Sequence, residues 1–355
     1  MKLGLIGLPQ VGKKTIFKLL TGQKASLDGG KASGLGLAKV RDVRVDRLVE
    51  MYHPEKETPA KMEFVLLPDL DTQAEKNEAV FKALEQVDVI CYLARVFEDD
   101  TVFHMEGDVN ARRDIRTFYN ELLLADQIFV EKRLERLEKE RGWAKDAQRA
   151  AMEKALLTRM QEHLEGEKPL SRFDLTKDEK KLINSYPFLT TKAVMVVLNV
   201  GEDQIGESGL VEEMKAAFPT QGFEWVEISV QIEQEISQLE AKEREVFLEE
   251  LGIEQSALDR LTLVCYDTLG LISFFTVGED EVRAWTIRKG TLAPRAGGAI
   301  HGDIEHGFIR AQTVRYEDLI EKGSEQQVKA AGKLVQKGKD AEILDGDVIQ
   351  FLFKV

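Results

Sequence analysis

Residues 7 to 15 read "GLPQVGKKT" and come close to the phosphate-binding pattern G-x-x-x-x-G-K-[ST]. Gly7, Gly12 and Lys13 occupy the fixed positions, directly after the short apolar segment "KLGLI". In this pattern backbone N–H groups and the lysine hold phosphate oxygens, while the final hydroxyl group binds Mg²⁺. Here Lys14 stands at the hydroxyl position. The stretch therefore predicts a phosphate site that lacks one of its usual metal ligands.

Two interpretations of Lys14 follow from its place in the loop. Its ammonium group could bring a fixed positive charge to the space of the magnesium ion, or the side chain could turn to solvent. Thr15 is a poor substitute, because adjacent helix positions point about 100° apart. The candidate phosphate-binding residues are Gly7, Gln10, Val11, Gly12, Lys13, Lys14 and Thr15.

Apolar runs of strand length recur along the first part of the chain and alternate with helical patterns. Most of these runs are continuous, which is typical of strands covered on both faces. The pattern predicts an α/β fold with a doubly wound, mostly parallel sheet, and it suggests Gly22 as the C-cap of the helix after the phosphate loop. The runs are "KLGLI" at 2–6, "EFVLL" at 63–67, "VDVICYLARVF" at 87–97, "AVMVVLNV" at 193–200 and "FEWVEISV" at 223–230.

Two later parts of the chain have different sequence patterns. Apolar residues at helical spacing on either side of "RGWAKD" predict an antiparallel helical hairpin inserted into the sheet domain, with a solvated surface or a partner-binding surface as alternatives. Its apolar positions are Val130, Leu134, Leu137, Leu157, Met160 and Leu164. After residue 270, short alternating strands with tight turns predict a compact α+β module.

Composition limits the class of protein. The chain has 355 residues, enough for two or three domains, and a net charge of −14, which argues against a protein that coats nucleic acid everywhere. No apolar window is long enough to span a bilayer, and the first residues enter a strand, so we expect no signal peptide. Cys91 and Cys265 lie in apolar runs and are expected to be buried thiols in a cytosolic protein. The histidines lack metal-ligand spacing, so we predict no metal site from them.

Three segments resemble the YchF branch of the Obg-related P-loop NTPases: "LGLIGLPQVGKKTIFKLLTG", "LNVGEDQ" and the long stretch from "VGEDEVRAWTIRKG" to "RYEDLI". The resemblance covers almost the whole chain. It implies a discontinuous G domain (1–125 and 190–269), a helical coiled-coil arm (126–189) and a ubiquitin-like TGS domain (270–355). It also implies cytosolic location, ATP handled as well as or better than GTP, and contact with the ribosome or other structured RNA. Candidate RNA-binding residues in the TGS-like part are Arg283, Arg288, Lys289, Arg295, Arg310 and Arg315.

The segment "NVGE" occupies the base-recognition position of this family. GTP-specific relatives carry N-K-x-D, whose aspartate accepts both N–H donors of the guanine edge, and a wrong base leaves that buried carboxylate unpaired. Here no lysine is present and the acid, Glu202, is one methylene longer, while Asn199 can meet N7 and N6 of adenine. We therefore favour adenine. The resemblance adds Ser229, Val230 and Gln231 as residues of the next base-contacting loop.

The chain departs from the family at its metal and switch motifs. In the D-x-x-G motif, Leu66 stands at the aspartate and Asp69 at the glycine. No threonine lies between Thr21 and Thr58 to serve the first switch, and that region contains "LDGGKASGLGLA", which predicts a flexible loop. The joint loss of these groups predicts a site that no longer uses Mg²⁺, and no catalytic residue can be assigned.

These observations favour a purine-nucleotide-binding regulator associated with the ribosome or RNA, with weak or lost hydrolysis because charge neutralisation and water positioning supply catalysis in this reaction. One alternative is an active Mg²⁺-dependent ATPase or GTPase of translation that recruits metal through Asp69 or Asp71. A second is a scaffold for RNA or protein with an empty phosphate loop.

Overall fold

The structure, a computed structural model, describes residues 2–23, 34–139, 147–205, 209–240, 243–244, 246 and 256–354. The chain divides into two units. The first unit combines Met1–Gly36 with Glu63–Leu258, and the second combines Leu37–Met62 with Asp259–Val355. No helix in the described ranges is long and apolar enough to cross a bilayer.

The strands and helices of the described residues are numbered here in chain order. The strands are β1 (Lys2–Gly7), β2 (Gly34–Lys39), β3 (Lys56–Thr58), β4 (Lys61–Leu66), β5 (Val89–Arg95), β6 (Ala193–Asn199), β7 (Glu224–Ile228), β8 (Leu271–Thr276), β9 (Glu281–Arg288), β10 (Phe308–Arg315), β11 (Val335–Lys337) and β12 (Asp347–Phe353). The helices are α1 (Lys13–Thr21), α2 (Val43–Tyr52), α3 (Glu78–Leu84), α4 (Ala111–Lys139), α5 (Ala147–Glu165), α6 (Lys177–Leu182), α7 (Leu210–Ala217), α8 (Val230–Ile236), α9 (Ala257–Thr268), α10 (Ala293–Gly298), α11 (Gly302–His306), α12 (Tyr316–Lys322) and α13 (Glu325–Ala330).

The first sheet has the strand order β2-β4-β1-β5-β6-β7. β1 pairs in parallel with β4 and β5, and β6 pairs in parallel with β5 and β7. Every residue of β5 is buried, as expected for a central strand covered on both faces. The predicted doubly wound, mostly parallel sheet is therefore confirmed, with all five predicted apolar runs forming strands.

Helix α1 follows the phosphate loop and ends at the predicted C-cap. Gly22 has a φ of 68°, and its N–H donates to the carbonyl oxygen of Lys18 at 2.8 Å. This left-handed cap favours glycine, because other residues meet a steric penalty there.

The expected flexible loop "LDGGKASGLGLA" is wrong in its last part, because residues 34–39 form strand β2 at the edge of the first sheet. A Cβ atom at Gly36 would lie 2.5 Å from the Thr21 side chain, and one at Gly34 would lie 3.3 Å from the ring of Phe17. These glycines let the strand approach α1 closely. Because the segment is rich in glycine, its sequence shows no strand pattern. Residues 27–33 of the predicted loop lie outside the described residues.

The inserted hairpin consists of the 29-residue helix α4 and the 19-residue helix α5. Most of the predicted apolar positions are buried, and Leu134 is partly buried against the same core. An ion pair joins Arg133 of α4 to Glu153 of α5 at 2.6 Å. The predicted turn "RGWAKD" lies outside the described residues.

The second unit contains a mixed sheet with the strand order β11-β10-β12-β8-β9-β3. β8 and β9 are antiparallel, β12 is parallel to β8, and β10 is antiparallel to β12. A core of its own includes Phe274, Ile287 and Phe308. The unit is α+β, as the sequence predicts for this part of the chain.

An early segment completes this second sheet. β3 pairs in parallel with β9, and the Thr58 hydroxyl donates to the Glu281 carboxylate at 2.6 Å. From the preceding helix, Arg44 pairs with Asp345 at 2.6 Å and lies over the ring of Phe275. The second unit thus includes residues 37–62, which the sequence-based division assigned to the G domain.

Candidate nucleotide site

The phosphate loop connects β1 to α1 and depends on its glycines. A Cβ atom at Gly7 would lie 2.6 Å from the carbonyl oxygen of Leu93, and one at Gly12 would lie 2.7 Å from Nδ2 of Asn199. Gly12 also has a φ of 94°. Because α1 has no side-chain N-cap, the N–H groups of its first turn have no capping side chain and can meet an anion.

Lys13 is buried at the inner end of this loop. Its Nζ lies 2.8 Å from Oδ1 of Asp69 and donates to the carbonyl oxygens of Pro68 at 3.0 Å and Gly7 at 3.3 Å. Burial lowers the pKa of Lys13, and the carboxylate of Asp69 opposes that shift. The ammonium group of Lys13 is therefore bound by three protein groups.

The two residues after Lys13 differ in their surroundings. Lys14 is exposed, whereas Thr15 is half-buried and lines the cleft beside the loop. Of the two interpretations of Lys14, this placement agrees with the side chain turned to solvent.

A cleft of about 750 Å³ opens beside the loop, within the size range of small-molecule sites. It brings residues predicted for phosphate binding together with residues predicted for base binding. The predicted residues in its lining are Gln10, Gly12, Thr15, Asn199, Glu202, Val230 and Gln231. Gly7, Val11, Lys13 and Ser229 are buried outside that lining.

Asn199, at the end of β6, connects three walls of the cleft. Its Nδ2 donates to the carbonyl oxygen of Val11 at 3.0 Å, and its Oδ1 accepts from the N–H of Val230 at 3.1 Å. Its main-chain oxygen accepts from the N–H groups of Val96 and Phe97. A carboxamide has a second N–H and a second lone pair, so these contacts leave Asn199 able to bind a base edge.

One wall of the cleft was not predicted from the sequence. Its residues follow the carboxyl end of β5 and include Phe97, Glu98, Asp99 and Val102. Buried Arg95 holds this wall by donating to the carbonyl oxygens of residues 97, 99, 102 and 103, and its guanidinium group lies 4.4 Å from the centre of the Phe97 ring. The sequence feature that could have predicted this wall is its place directly after a buried parallel strand, because ligands bind at the carboxyl ends of such strands.

The residues at the usual magnesium positions do not fit that ion. Mg²⁺ prefers oxygen ligands in octahedral geometry. Leu66 is fully buried and apolar where a carboxylate would stand, and Lys14 replaces the hydroxyl group. Among the residues that the structure describes, no group of three His, Cys, Asp or Glu side chains is placed to hold a metal ion.

The six basic residues predicted to bind RNA have different environments in the second unit. Arg315 donates to the buried carboxylate of Asp347 at 3.0 Å, and Arg310 donates to Gln336. Arg283 lies 3.8 Å from the centre of the Trp285 ring. The remaining residues, Arg288, Lys289 and Arg295, are exposed.

Comparisons with known proteins identify the family. Residues 271–354 match the family model YchF-GTPase_C, described as a protein of unknown function (DUF933). The chain is 39% identical to "Ribosome-binding ATPase YchF" of Bacillus subtilis (strain 168), over 99% of both proteins. It is 37% identical to the protein of the same name from Escherichia coli O157:H7, over 100% of this chain and 99% of that protein. The chain belongs to the YchF family.

A solved structure supports the same assignment. The Schizosaccharomyces pombe YchF GTPase superposes with a TM-score of 0.87 at 31% identity, over 99% of this chain and 97% of that one. The YchF fold therefore includes both the P-loop sheet and the C-terminal module, and the matched model covers β8 to β12. Within this family fold, the chain carries Leu66, Asp69 and Lys14 at positions where the sequence motifs call for metal and phosphate contacts.

Proposed function

We propose that this chain binds a purine nucleotide in the cleft beside the phosphate loop and acts as a nucleotide-gated regulator associated with the ribosome. The observation that carries the proposal is the single cleft lined by Gln10, Gly12 and Thr15 together with Asn199 and Glu202. Phosphates would lie on the loop N–H groups, with the base near the end of β6.

Adenine is the base that the cleft chemistry favours. Asn199 retains one donor and one acceptor, which suit N7 and N6 of adenine. The exposed carboxylate of Glu202 lines the same cleft, and the ring of Phe97 offers an aromatic face for stacking on a purine. GTP would occupy the same cleft, with an affinity no higher than that of ATP.

Hydrolysis is proposed to be slow or absent. Phosphoryl transfer depends on neutralising the developing charge and on orienting the attacking water. Leu66 cannot ligate a metal ion, Lys14 is exposed, and Asp69 is paired with Lys13. These three motif positions therefore supply neither a metal ligand nor an unpaired carboxylate that could orient the attacking water.

Association with the ribosome or structured RNA, in the cytosol, is proposed from the relatives. The Bacillus subtilis and Escherichia coli proteins are named ribosome-binding ATPases, and this chain matches both along its whole length. The exposed basic residues Arg288, Lys289 and Arg295 are the proposed contacts of the second unit, since phosphate backbones are bound mainly by lysine and arginine.

Calorimetric titration of ATP and GTP, with magnesium and with EDTA, tests this function. We expect ATP to bind at least as well as GTP and EDTA to change the ATP affinity by less than about threefold, which is below 1 kcal/mol. Phosphate release should stay near background. Robust magnesium-dependent turnover would identify an active ATPase instead, and absence of binding by either nucleotide would leave a scaffold with an empty loop.

A paired substitution tests the base assignment. Glu202→Asp shortens the carboxylate toward the guanine-binding form and should shift the ATP-to-GTP affinity ratio toward GTP. Glu98→Asp makes the same change at another lining carboxylate and should leave that ratio unchanged. A strong preference of the unmodified chain for GTP would contradict the assignment.

A further inference from the structure

Asp69 forms an ion pair with Lys13, the lysine of the phosphate loop. Its Oδ1 lies 2.8 Å from Nζ of Lys13, whose side chain is only 2% exposed. We propose that Asp69 determines how many phosphates the site accepts, so that the chain binds a purine nucleoside diphosphate in preference to a triphosphate. This inference rests on the proposed nucleotide binding in the cleft.

The lysine has no donor to spare. An ammonium group carries three N–H donors, and Lys13 places three acceptors within hydrogen-bond distance: Asp69, Pro68 and Gly7. A phosphate oxygen can bind Nζ only by displacing one of them. Asp69 is the displaceable partner, because its side chain is 35% exposed and the other two are backbone carbonyls.

Displacement does not remove the negative charge of Asp69 from the site. In this loop type the backbone N–H groups hold the α- and β-phosphates, while the lysine reaches the β- and γ-phosphates. Both phosphates of a diphosphate therefore have N–H donors even when the Lys13–Asp69 pair stays intact, whereas a γ-phosphate depends on the lysine. A γ-phosphate adds charge beyond those N–H groups, next to a carboxylate that repels it and a lysine that is already neutralised.

The rest of the cleft offers no compensation for that added charge. The charged side chains in its lining are four carboxylates, those of Glu98, Asp99, Glu202 and Asp203, and the lining contains no lysine or arginine. The magnesium ion that ordinarily screens a triphosphate would lack the ligands described above. Each negative charge added at the phosphate end is thus paired with loop N–H groups and the occupied Lys13, while the neighbouring Lys14 is exposed to solvent.

The test compares ADP and ATP by calorimetry, in the presence of Mg²⁺, for the full chain and for Asp69→Asn. We expect the unmodified chain to bind ADP at least about tenfold more tightly than ATP. Asp69→Asn keeps the size of the side chain and removes its charge, so the ratio should fall below about threefold, chiefly through tighter ATP binding. Asp69→Gly should move the ratio in the same direction, and thermal unfolding without ligand checks that both variants fold.

Asp71→Asn is the matched control. Asp71 is a nearby carboxylate in the same segment, but it pairs with Lys76 at 3.2 Å and accepts from the N–H of Gln73. This variant should keep the ratio of the unmodified chain. A preference of the unmodified chain for ATP, or an ADP-to-ATP ratio that Asp69→Asn and Asp69→Gly leave unchanged, would overturn the inference while nucleotide binding stands. If neither ADP nor ATP binds any of these proteins, the proposed function fails and this inference fails with it.

Discussion

The side chain of Asn199 ties the end of β6 to the phosphate loop, since its Nδ2 donates to the carbonyl oxygen of Val11 at 3.0 Å. Its Oδ1 accepts from Val230 at the start of α8. Asn199 is only 3% exposed, so both of its side-chain hydrogen bonds are buried in the folded chain. The residue predicted for base recognition therefore also holds the loop and the cleft in one arrangement.

Asn199→Ala should lower the free energy of unfolding by about 1–3 kcal/mol, because it leaves a buried carbonyl group and a buried N–H group without partners. It should also weaken nucleotide binding. Urea unfolding measures the first effect and calorimetry the second. Gln231→Ala is the control, since Gln231 is an exposed residue of the same cleft and its loss should change stability by less than about 0.5 kcal/mol. Equal stability of the two variants would show that the Asn199 contacts do not hold the loop.

Lys13 and Lys14 should respond differently to the same substitution. Lys13→Ala removes the only cation at the inner end of the loop among the described contacts and should weaken nucleotide binding by about 2 kcal/mol or more, as for a charge-assisted hydrogen bond. Lys14→Ala removes an exposed side chain and should change the affinity by less than about threefold. Calorimetry with ATP, whose outer phosphates lie within reach of the loop lysine, decides both. A loss at Lys14 as large as that at Lys13 would place its ammonium group at the phosphates.

The strands of the first sheet could be predicted from the sequence because their apolar runs are continuous, as in β5 and β6. β3 could not, since it is three residues long and polar, and its pairing with β9 joins positions more than 220 residues apart. The site, too, could be predicted only in part. The loop glycines and Lys13 have a fixed spacing that is visible in the sequence, whereas the hydrogen bonds of Arg95 and the ion pair of Lys13 with Asp69 exist only after folding.

Stability should depend on pH through Asp126, which is 2% exposed and accepts hydrogen bonds from the N–H groups of Leu189 and Thr190 and from the Thr190 hydroxyl. Burial raises its pKa to about 6, above the value of about 3.9 in an unfolded chain. The folded state therefore binds the proton more tightly, and the contribution of Asp126 is greatest below pH 4 and is lost as pH rises to about 6.

Asp126→Asn removes this titration. The unfolding free energy of the unmodified chain, minus that of Asp126→Asn, should fall by about 2 kcal/mol between pH 4 and pH 7. Urea unfolding at a series of pH values gives the difference. Asp178→Asn, at an exposed aspartate, should show no such trend. A difference that stays flat or rises with pH would mean that the three hydrogen bonds stabilise the ionised carboxylate more than burial opposes it.

Ribosome association should depend on exposed rather than structural basic residues. Reversing Arg315 would leave the buried carboxylate of Asp347 without one of its cations, so a loss of binding there would not separate misfolding from lost contact. Arg288 and Lys289 are exposed at the end of β9, and the double variant Arg288→Glu with Lys289→Glu should reduce co-sedimentation with ribosomes and flatten its salt dependence.

The double variant Lys329→Glu with Lys339→Glu makes the same change in net charge at other exposed positions of the second unit. It should retain binding, because only charges that contact phosphates release counterions. Equal losses in the two double variants would show that net charge, and not the Arg288 and Lys289 surface, governs the association.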